Sequence, residues 1–483
     1  MRWSFVFKII GALVACVGLC MIFPIAFALY YGDGGLGALT ISMLASIGVG
    51  MVLYLTCTNP APALGMNHRE GLAVTTLGWV AAGFAGALPF YLAGMLPSLT
   101  DCLFESMSGF TTTGASVLAD IESVGHGLLF WRSMTHFLGG MGIIVLTLAI
   151  LPFLGVSGMQ LYKAEVPGPT PDKLRPRIKD TAATLWGVYL LFSLLQTVLL
   201  LCGGMSLFDA LCHTFGTMAT GGFSTKNASV AAFGSAYIDW VITVFMLLAS
   251  LNFALHYYVL LGRPRVMFKD PEFRMFAMLY AVFAILVTLN VLGQYHGDPG
   301  EAARYGAFQV ASILSTTGFA TANFEIWPPL SQCILVLAMF IGGCAGSTAG
   351  GMKCMRVLVL GRHSYREVFR LIHPRAVIGV KLGGRVVAPE TIAAMWGFVA
   401  LWLGLTSLST LVLAACGLDM VTAFTAVLAC IGNVGPGFGS VGPMDNYSQL
   451  PDAAKWCLIM CMLLGRLEIY TVVALFIPEF YRK

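Results

Sequence analysis

The sequence predicts an all-α polytopic membrane fold with four repeats around a common axis and two extra spans at the N-terminus. Each repeat reads as a span, a half-helix, a Thr/Gly-rich segment and a second span. Three observations predict this. The first is composition: of 483 residues, 58% are apolar and only 10% charged, against roughly 25% charged in an average soluble domain. So few charges cannot cover a water-facing surface, and lipid must be the solvent for most of the chain. The second is a series of ten apolar runs, each long enough to cross the roughly 30 Å of a hydrocarbon core. The third is a set of four Thr/Gly-rich segments at nearly regular spacing.

The same composition excludes several classes. A soluble enzyme does not fit, and the net charge of +4 is too small to point to nucleic acid. Thirteen cysteines scattered through apolar runs are no disulfide framework. The pairs Cys16/Cys20 and Cys457/Cys461 stand four apart and read as helix filler.

Taken in order, the first run follows Arg2 and Lys8 and extends from Ile9 to Tyr31. Ala26-Phe27-Ala28 imitates a signal-peptidase site, yet the run is longer than a typical signal core and further runs follow at once. It is read as a retained span. The ten runs lie near 9–31, 37–56, 72–96, 130–155, 182–203, 236–261, 275–294, 329–360, 391–415 and 453–478. They divide the chain into 1–68 (two N-terminal spans), 69–160, 161–262, 263–386 and 387–483 (repeats one to four).

Basic residues set the orientation. With a cytoplasmic N-terminus, the inside segments collect Arg69, Lys163, Lys173, Arg175, Arg177, Lys179, Arg263, Arg265, Lys269 and Arg274. The dense stretch from Lys353 to Arg385 and the terminal Arg482 and Lys483 follow. The outside segments hold only Arg132, Lys226, Arg304 and Lys455, together with most of the acids. Both termini are expected in the cytoplasm.

Four outside connections share one pattern. A non-spanning apolar stretch, near 101–110, 207–217, 303–314 and 419–430, precedes each Thr/Gly-rich segment. The segments are Thr111-Thr112-Thr113-Gly114, Thr220-Gly221-Gly222, Ser315-Thr316-Thr317-Gly318 and Asn433-Val434-Gly435. Aligning Gly114, Gly221, Gly318 and Gly435 gives spacings of 107, 97 and 117 residues, a fourfold repeat. Every unit holds two full spans, so all four share one orientation about an axis along the membrane normal.

Non-helical backbone at membrane depth is tolerated where it is buried in protein or lines a water-filled cavity. Four such segments around one axis offer backbone carbonyls that can replace the hydration shell of a monovalent cation. Glycine permits the positive φ this requires, and the threonine hydroxyls add oxygens. Each half-helix turns its C-terminal, partially negative end toward the site. No segment residue is acidic, which suits K⁺ better than a divalent ion.

These four segments, the ten-run layout and a break in the eighth run resemble the TrkH/TrkG branch of the Trk/Ktr/HKT superfamily of potassium-transporting membrane proteins. The resemblance covers essentially the whole chain. It implies four fused membrane-pore-membrane repeats around a central pore, with the first two spans as the extra pair of that branch. It implies K⁺ as the transported ion, held by Thr112, Thr113, Gly114, Thr220, Gly221, Gly222, Ser315, Thr316, Thr317, Gly318, Asn433, Val434 and Gly435, with no organic cofactor. In plant relatives serine at the first key position goes with Na⁺ transport, so Gly114 points to K⁺. The resemblance further implies a bacterial inner membrane location, a homodimer, and a cytosolic nucleotide-binding regulator of the TrkA type.

The eighth run is broken by a stretch of small residues from Gly342 to Gly351, where glycine costs about 1 kcal/mol per residue against alanine in a helix. By resemblance, Gly343, Gly346, Ser347, Thr348 and Gly350 obstruct the pore as an intramembrane loop; a kink packed against a neighbouring helix is the plainer alternative. Arg466, within the last apolar run, reads either as an electrostatic barrier or as a group paired with Glu468 or backbone carbonyls. Lys353 either works with the loop or follows from the positive-inside bias. Transport of Na⁺ or another monovalent cation, or of a small organic solute by a secondary transporter, are the competing readings. A membrane enzyme lacks the ionisable cluster it would need. Both a passive pore and symport with H⁺ or Na⁺ fit the sequence.

Overall fold

The computed structural model describes residues 1–57, 66–142, 178–376 and 378–482. The end of the fourth apolar run, the first repeat boundary, and the basic residues Lys163, Lys173, Arg175 and Arg177 lie outside the described residues.

Helices α1 (Trp3–Cys20) and α2 (Ile22–Tyr31) form one long rod, which turns back through α3 (Leu36–Thr56). Close approach of α1 and α3 depends on facing glycines: a Cβ on Gly11 would lie 2.7 Å from the Gly50 carbonyl oxygen. Small residues are the usual means of packing helices in lipid, where no hydrophobic drive between them exists. Arg2 closes the end of this pair with a bidentate bond to the buried Glu70 carboxylate, at 2.9 and 2.7 Å.

The four repeats follow. The first holds α4 (His68–Leu92), the half-helix α5 (Leu99–Phe110) and α6 (His126–Gly140). The second holds α7 (Ile178–Cys202), the half-helix α8 (Leu207–Met218), α9 (Ala236–Ala249) and α10 (Phe253–Leu260). After a short linking helix, α11 (Pro264–Lys269), the third holds α12 (Pro271–Val291), the half-helix α13 (Pro299–Leu314), α14 (Pro329–Ile341) and α15 (Cys354–Ile372). A two-stranded ribbon, β1 (Lys381–Leu382) and β2 (Arg385–Val386), leads into the fourth: α16 (Pro389–Ala415), the half-helix α17 (Met420–Ile431), α18 (Asp452–Arg466) and α19 (Tyr470–Val473).

The half-helices form the core. Every residue of α5 from Asp101 to Phe110 is buried, and α17 and α13 are nearly as enclosed. The long helices surround them and expose apolar residues such as Leu55, Leu194, Leu289 and Leu411, the face a bilayer would cover.

Ten uninterrupted spans are not what forms. Among the described residues, six helices are long and apolar enough to cross a bilayer, or eight if two bent pairs count as spans. The second spans of the second and fourth repeats break as well as that of the third. α6 ends at Gly140, α14 at Ile341, α9 bends by 103° into α10, and α18 bends by 110° at Leu467–Ile469. The second repeat's run stays apolar through its break because the freed Ala249 and Ser250 carbonyls accept from the Thr348 and Cys344 amides, which a hydropathy window does not register.

Candidate functional site

Each half-helix begins with a side-chain cap. Ser98, Ser206, Asp298 and Asp419 accept from the amides of Asp101, Asp209, Gly300 and Thr422 at 2.7–3.0 Å. Such caps satisfy orphan amides and fix where the helix starts.

Each half-helix also ends in one way. Thr112, Thr220, Thr316 and Asn433 donate their amides to Gly109, Thr217, Ile313 and Cys430. The next amides, of Thr113, Gly221, Thr317 and Val434, reach back to Ser108, Gly216, Ser312 and Ala429 at 2.7–2.9 Å. This pair of bonds is a Schellman C-cap, whose turning residue must be left-handed and is usually glycine. Here it is threonine three times and asparagine once, with φ of 52–58°. A β-branched side chain in that conformation costs on the order of 1–2 kcal/mol, and such strain persists where surrounding structure enforces it.

Two residues later each chain turns left-handed again, at Gly114 (φ 82°), Gly222 (80°), Gly318 (84°) and Gly435 (101°). This corrects the register of the second segment. Gly221, aligned with the other key glycines from sequence, is the counterpart of Thr113, Thr317 and Val434; Gly222 is the key glycine. The Thr-Gly dipeptide misleads because the second segment has glycine where the first and third have a second threonine.

The four segments pack side by side in a closed ring. A Cβ on Gly114 would collide with the Gly221 carbonyl oxygen, one on Gly222 with Thr317, and one on Gly318 with Val434. One on Gly435 would lie 2.7 Å from the Thr113 oxygen, returning to the start. A vestibule of about 140 Å³ opens onto the ring and is lined by Gly114, Gly222, Gly318 and Gly435 together.

Cross-links hold the ring. Asn433 Nδ2 donates to Thr113 Oγ1 and to the Met462 carbonyl, both at 3.0 Å. The hydroxyls of Thr111 and Thr113 lie 2.8 Å apart, and those of Ser315 and Thr317 2.7 Å. Tyr447 donates its hydroxyl to the Gly435 carbonyl at 2.7 Å.

The chain from Gly342 to Lys353 lies against the half-helix ends. On one side it bonds to segment-bearing residues: the Gly350 amide donates to Thr316 Oγ1 at 2.7 Å and the Gly351 amide to the Gly432 carbonyl at 2.9 Å. Thr348 Oγ1 donates to the Met218 and Ala249 carbonyls at 3.0 and 3.1 Å. Gly346 gives its carbonyl to the Phe253 amide, and Gly343 accepts from the Cys354 amide. Ser347 closes a local turn onto the Cys344 carbonyl.

Two cations bear on the same loop. Arg466 donates to the Thr348 carbonyl at 2.8 Å and to the Gly139 and Gly140 carbonyls at 2.7 Å each. It thus ties the end of α18 to the loop and to the end of α6. Of the alternatives for Arg466, backbone carbonyls are its partners, whereas the Glu468 carboxylate takes Arg356. Lys353 is buried, left-handed at φ 72°, and directs its ammonium to the Ala349 carbonyl.

Sequence reasoning missed the charges behind the ring. Glu70, Asp101, Glu105, Asp239 and Glu272 are all buried. Three cations assigned to outer loops belong instead to ion pairs, two buried and one half-buried: Arg132 with Glu105, Lys455 with Asp101, and Arg304 with Asp239, each at 2.6 Å. The pair Asp101 and Lys455 lies 354 positions apart, beyond any local signal. Glu272 Oε1 accepts from the Ala345 and Met355 amides at 2.8 and 2.9 Å, anchoring both ends of the loop.

With this geometry in view, comparison with known proteins gives one answer. A family model described as TrkH, cation transport protein, matches residues 36–481. The chain is 42% identical to the Trk system potassium uptake proteins TrkH of Salmonella typhimurium and Escherichia coli, covering 100% of each chain. It is 36% identical to TrkG of Escherichia coli, over 98% of this chain and 97% of that one. The crystal structure of the potassium transporter TrkH from Vibrio parahaemolyticus superposes with a TM-score of 0.89, at 37% identity and full coverage of both chains. The chain belongs to the TrkH family of cation transport proteins, a multi-pass membrane family.

Proposed function

We propose that this protein moves K⁺ across the membrane, for uptake, through a pore on the axis of the four segments. The observation that carries this reading is the closed ring of four left-handed glycines, each packed on the next segment's carbonyl. Left-handed residues alternating with residues of negative φ turn successive carbonyls of a segment to one side. Four such segments supply the neutral oxygens that replace the water shell of K⁺. Relatives over the full chain length are named potassium uptake proteins, and the four half-helix C-termini add a field that favours cations.

In this reading Thr112, Thr113 and Gly114, Thr220 to Gly222, Ser315 to Gly318, and Asn433 to Gly435 are the ion-binding residues. The loop of Gly343, Gly346, Ser347, Thr348 and Gly350 is the gate, held shut by Arg466 and Lys353. Opening requires breaking the two amide bonds to Thr316 and Gly432 and the bonds from the two cations. Charged hydrogen bonds contribute about 1.5–3 kcal/mol each, so the closed loop is favoured without other restraint.

The basic residues support a cytoplasmic side for both termini and α15 at the bacterial inner membrane, with the vestibule outside. The repeats are assigned to 69–160, 161–262, 263–386 and 387–483. Arg362, Arg366, Arg370 and Arg375 form a basic cytoplasmic surface suited to anionic lipid and to a nucleotide-binding regulator of the TrkA type. A homodimer completes the assembly.

Reconstitution into liposomes tests the proposal, with flux measured under K⁺, Na⁺ and pH gradients applied separately. Selective K⁺ flux supports it. Flux of an organic solute, or equal Na⁺ and K⁺ flux, overturns it.

A further inference from the structure

The most heavily built feature outside the ring is the pair Glu105 and Arg132. Both side chains are essentially inaccessible, at 0% and 2%. The Arg132 fork reaches two repeats at once: Nε donates to Glu105 Oε1 at 2.6 Å, and Nη1 donates to the Ser224 carbonyl at 3.0 Å, just past Gly222. Its guanidinium also sits 3.5 Å above the Phe223 ring. Glu105 in turn accepts from the Val117 amide at 2.9 Å and from the Ser116 hydroxyl at 2.9 Å, just past Gly114. The first two segments are therefore strapped together by one ion pair.

On the half-helices of the third and fourth repeats neutral groups take this place, and an anion, Glu325, takes the Gly439 amide at 2.7 Å. Gln309, with its amide turned to satisfy both neighbours, accepts from the Thr321 and Ala322 amides. Thr425 Oγ1 accepts from the Phe438 amide at 2.9 Å. A strap that uses a cation is unexpected here, because Arg132 also lines the vestibule through which a cation must pass. A bare guanidinium there would repel the permeant ion, the more strongly because the walls have low dielectric.

We infer that Glu105 and Arg132 are specificity-determining positioning residues: Arg132 fixes the spacing of the first two filter segments, and Glu105 cancels its charge so that K⁺ can enter. The inference rests on the reading of the ring as a K⁺ filter. Lysine at position 132 keeps the charge but lacks the planar fork that binds two acceptors at fixed separation, so it separates spacing from charge.

The experiment uses the full chain in liposomes, with Glu105→Gln, Arg132→Gln, the double neutral variant, Arg132→Lys, and Gly318→Ser as a filter control. Uptake KM for K⁺ and the K⁺/Na⁺ flux ratio are measured at low and high choline salt, alongside thermal stability. Glu105→Gln is expected to raise the KM about tenfold at low and high salt alike, because a buried charge is screened little. Arg132→Gln is expected to lower KM, and the double variant to return it toward the parent value. Arg132→Lys is expected to reduce the K⁺/Na⁺ ratio about tenfold, the change that 1.4 kcal/mol of discrimination produces, while its KM moves far less. Where a single neutral variant does not fold, the double and lysine variants carry the test. KM shifts of the same sign in both neutral variants, or a double variant whose KM stays displaced, would overturn charge cancellation. An unaltered ratio in Arg132→Lys would overturn the strap. If Gly318→Ser also leaves the ratio unaltered, the filter reading itself fails; if only the lysine variant does, the failure is confined to the strap.

Discussion

Serine substitution at the four key glycines should damage selectivity unequally, in an order set by the ring's geometry. A Cβ added at Gly114, Gly222 or Gly318 falls so near the next carbonyl oxygen that this oxygen must retreat by roughly 0.8–1.0 Å to restore the 3.0 Å that real Cβ atoms keep. At Gly435 the corresponding retreat of Thr113 is only about 0.3 Å. The left-handed backbone adds on the order of 1–2 kcal/mol at each site, and at Gly435, where φ is 101°, that strain falls on the segment itself rather than on its neighbour. A carbonyl displaced by most of an ångström no longer sits where K⁺ requires it, and each 1.4 kcal/mol of lost discrimination lowers the K⁺/Na⁺ ratio about tenfold. The ratio is therefore expected to fall about tenfold or more in Gly114→Ser, Gly222→Ser and Gly318→Ser, and to fall least in Gly435→Ser. The assay is paired K⁺ and Na⁺ flux in liposomes, with thermal stability measured to exclude misfolding. Equal ratios in all four variants and the parent, or the largest loss at Gly435, would refute the reasoning.

The loop supplies the remaining predictions. Deleting two residues between Gly346 and Gly350 should raise K⁺ flux several-fold; flux that stays level or falls would remove its role as an obstruction. Arg466→Ala withdraws three donations to backbone carbonyls, each worth about 1.5–3 kcal/mol, so flux should rise about tenfold or more. A lower flux in a folded variant would show that Arg466 is needed for conduction instead. Thr316→Val takes the acceptor from the Gly350 amide, and an unsatisfied buried amide costs about 1–3 kcal/mol. It should shift the loop toward opening, read as increased protease or thiol-reagent access at a cysteine placed at Ser347. Unchanged access would show that this bond does not hold the loop.

Much of this architecture was legible in the sequence, for identifiable reasons. The half-helices at 101–110, 207–217, 303–314 and 419–430 fell within a few residues of their observed bounds because apolar runs too short to span stop at Thr/Gly-rich segments. The loop in the third repeat announced itself through five glycines in the ten residues from Gly342 to Gly351. The breaks in the second and fourth repeats did not, because Leu248-Ala249-Ser250-Leu251 and Leu467-Glu468-Ile469 contain no glycine. In the second repeat the freed carbonyls and amides are taken up by distant residues: Ser250 by Cys344, Ala249 by Thr348, and Phe253 by Gly346. The register error at Gly221 has a similar origin. The left-handed turn falls on Thr220, a residue type that does not advertise positive φ, so the adjacent glycine drew the alignment. The buried ion pairs were hidden because arginine and lysine near span ends usually report topology, and only folding brings Asp101 to Lys455.

The claim most open to direct test is that four stretches of main chain meet on one axis and hold a dehydrated K⁺. Crystals of the protein grown in Rb⁺ or Tl⁺, with anomalous scattering recorded, would locate the ion. The account predicts anomalous peaks on the axis, within coordination distance of carbonyl oxygens drawn from all four segments, including Thr113, Gly221, Thr317 and Val434. Peaks that lie off the axis, or that contact carboxylates rather than carbonyls, would contradict it.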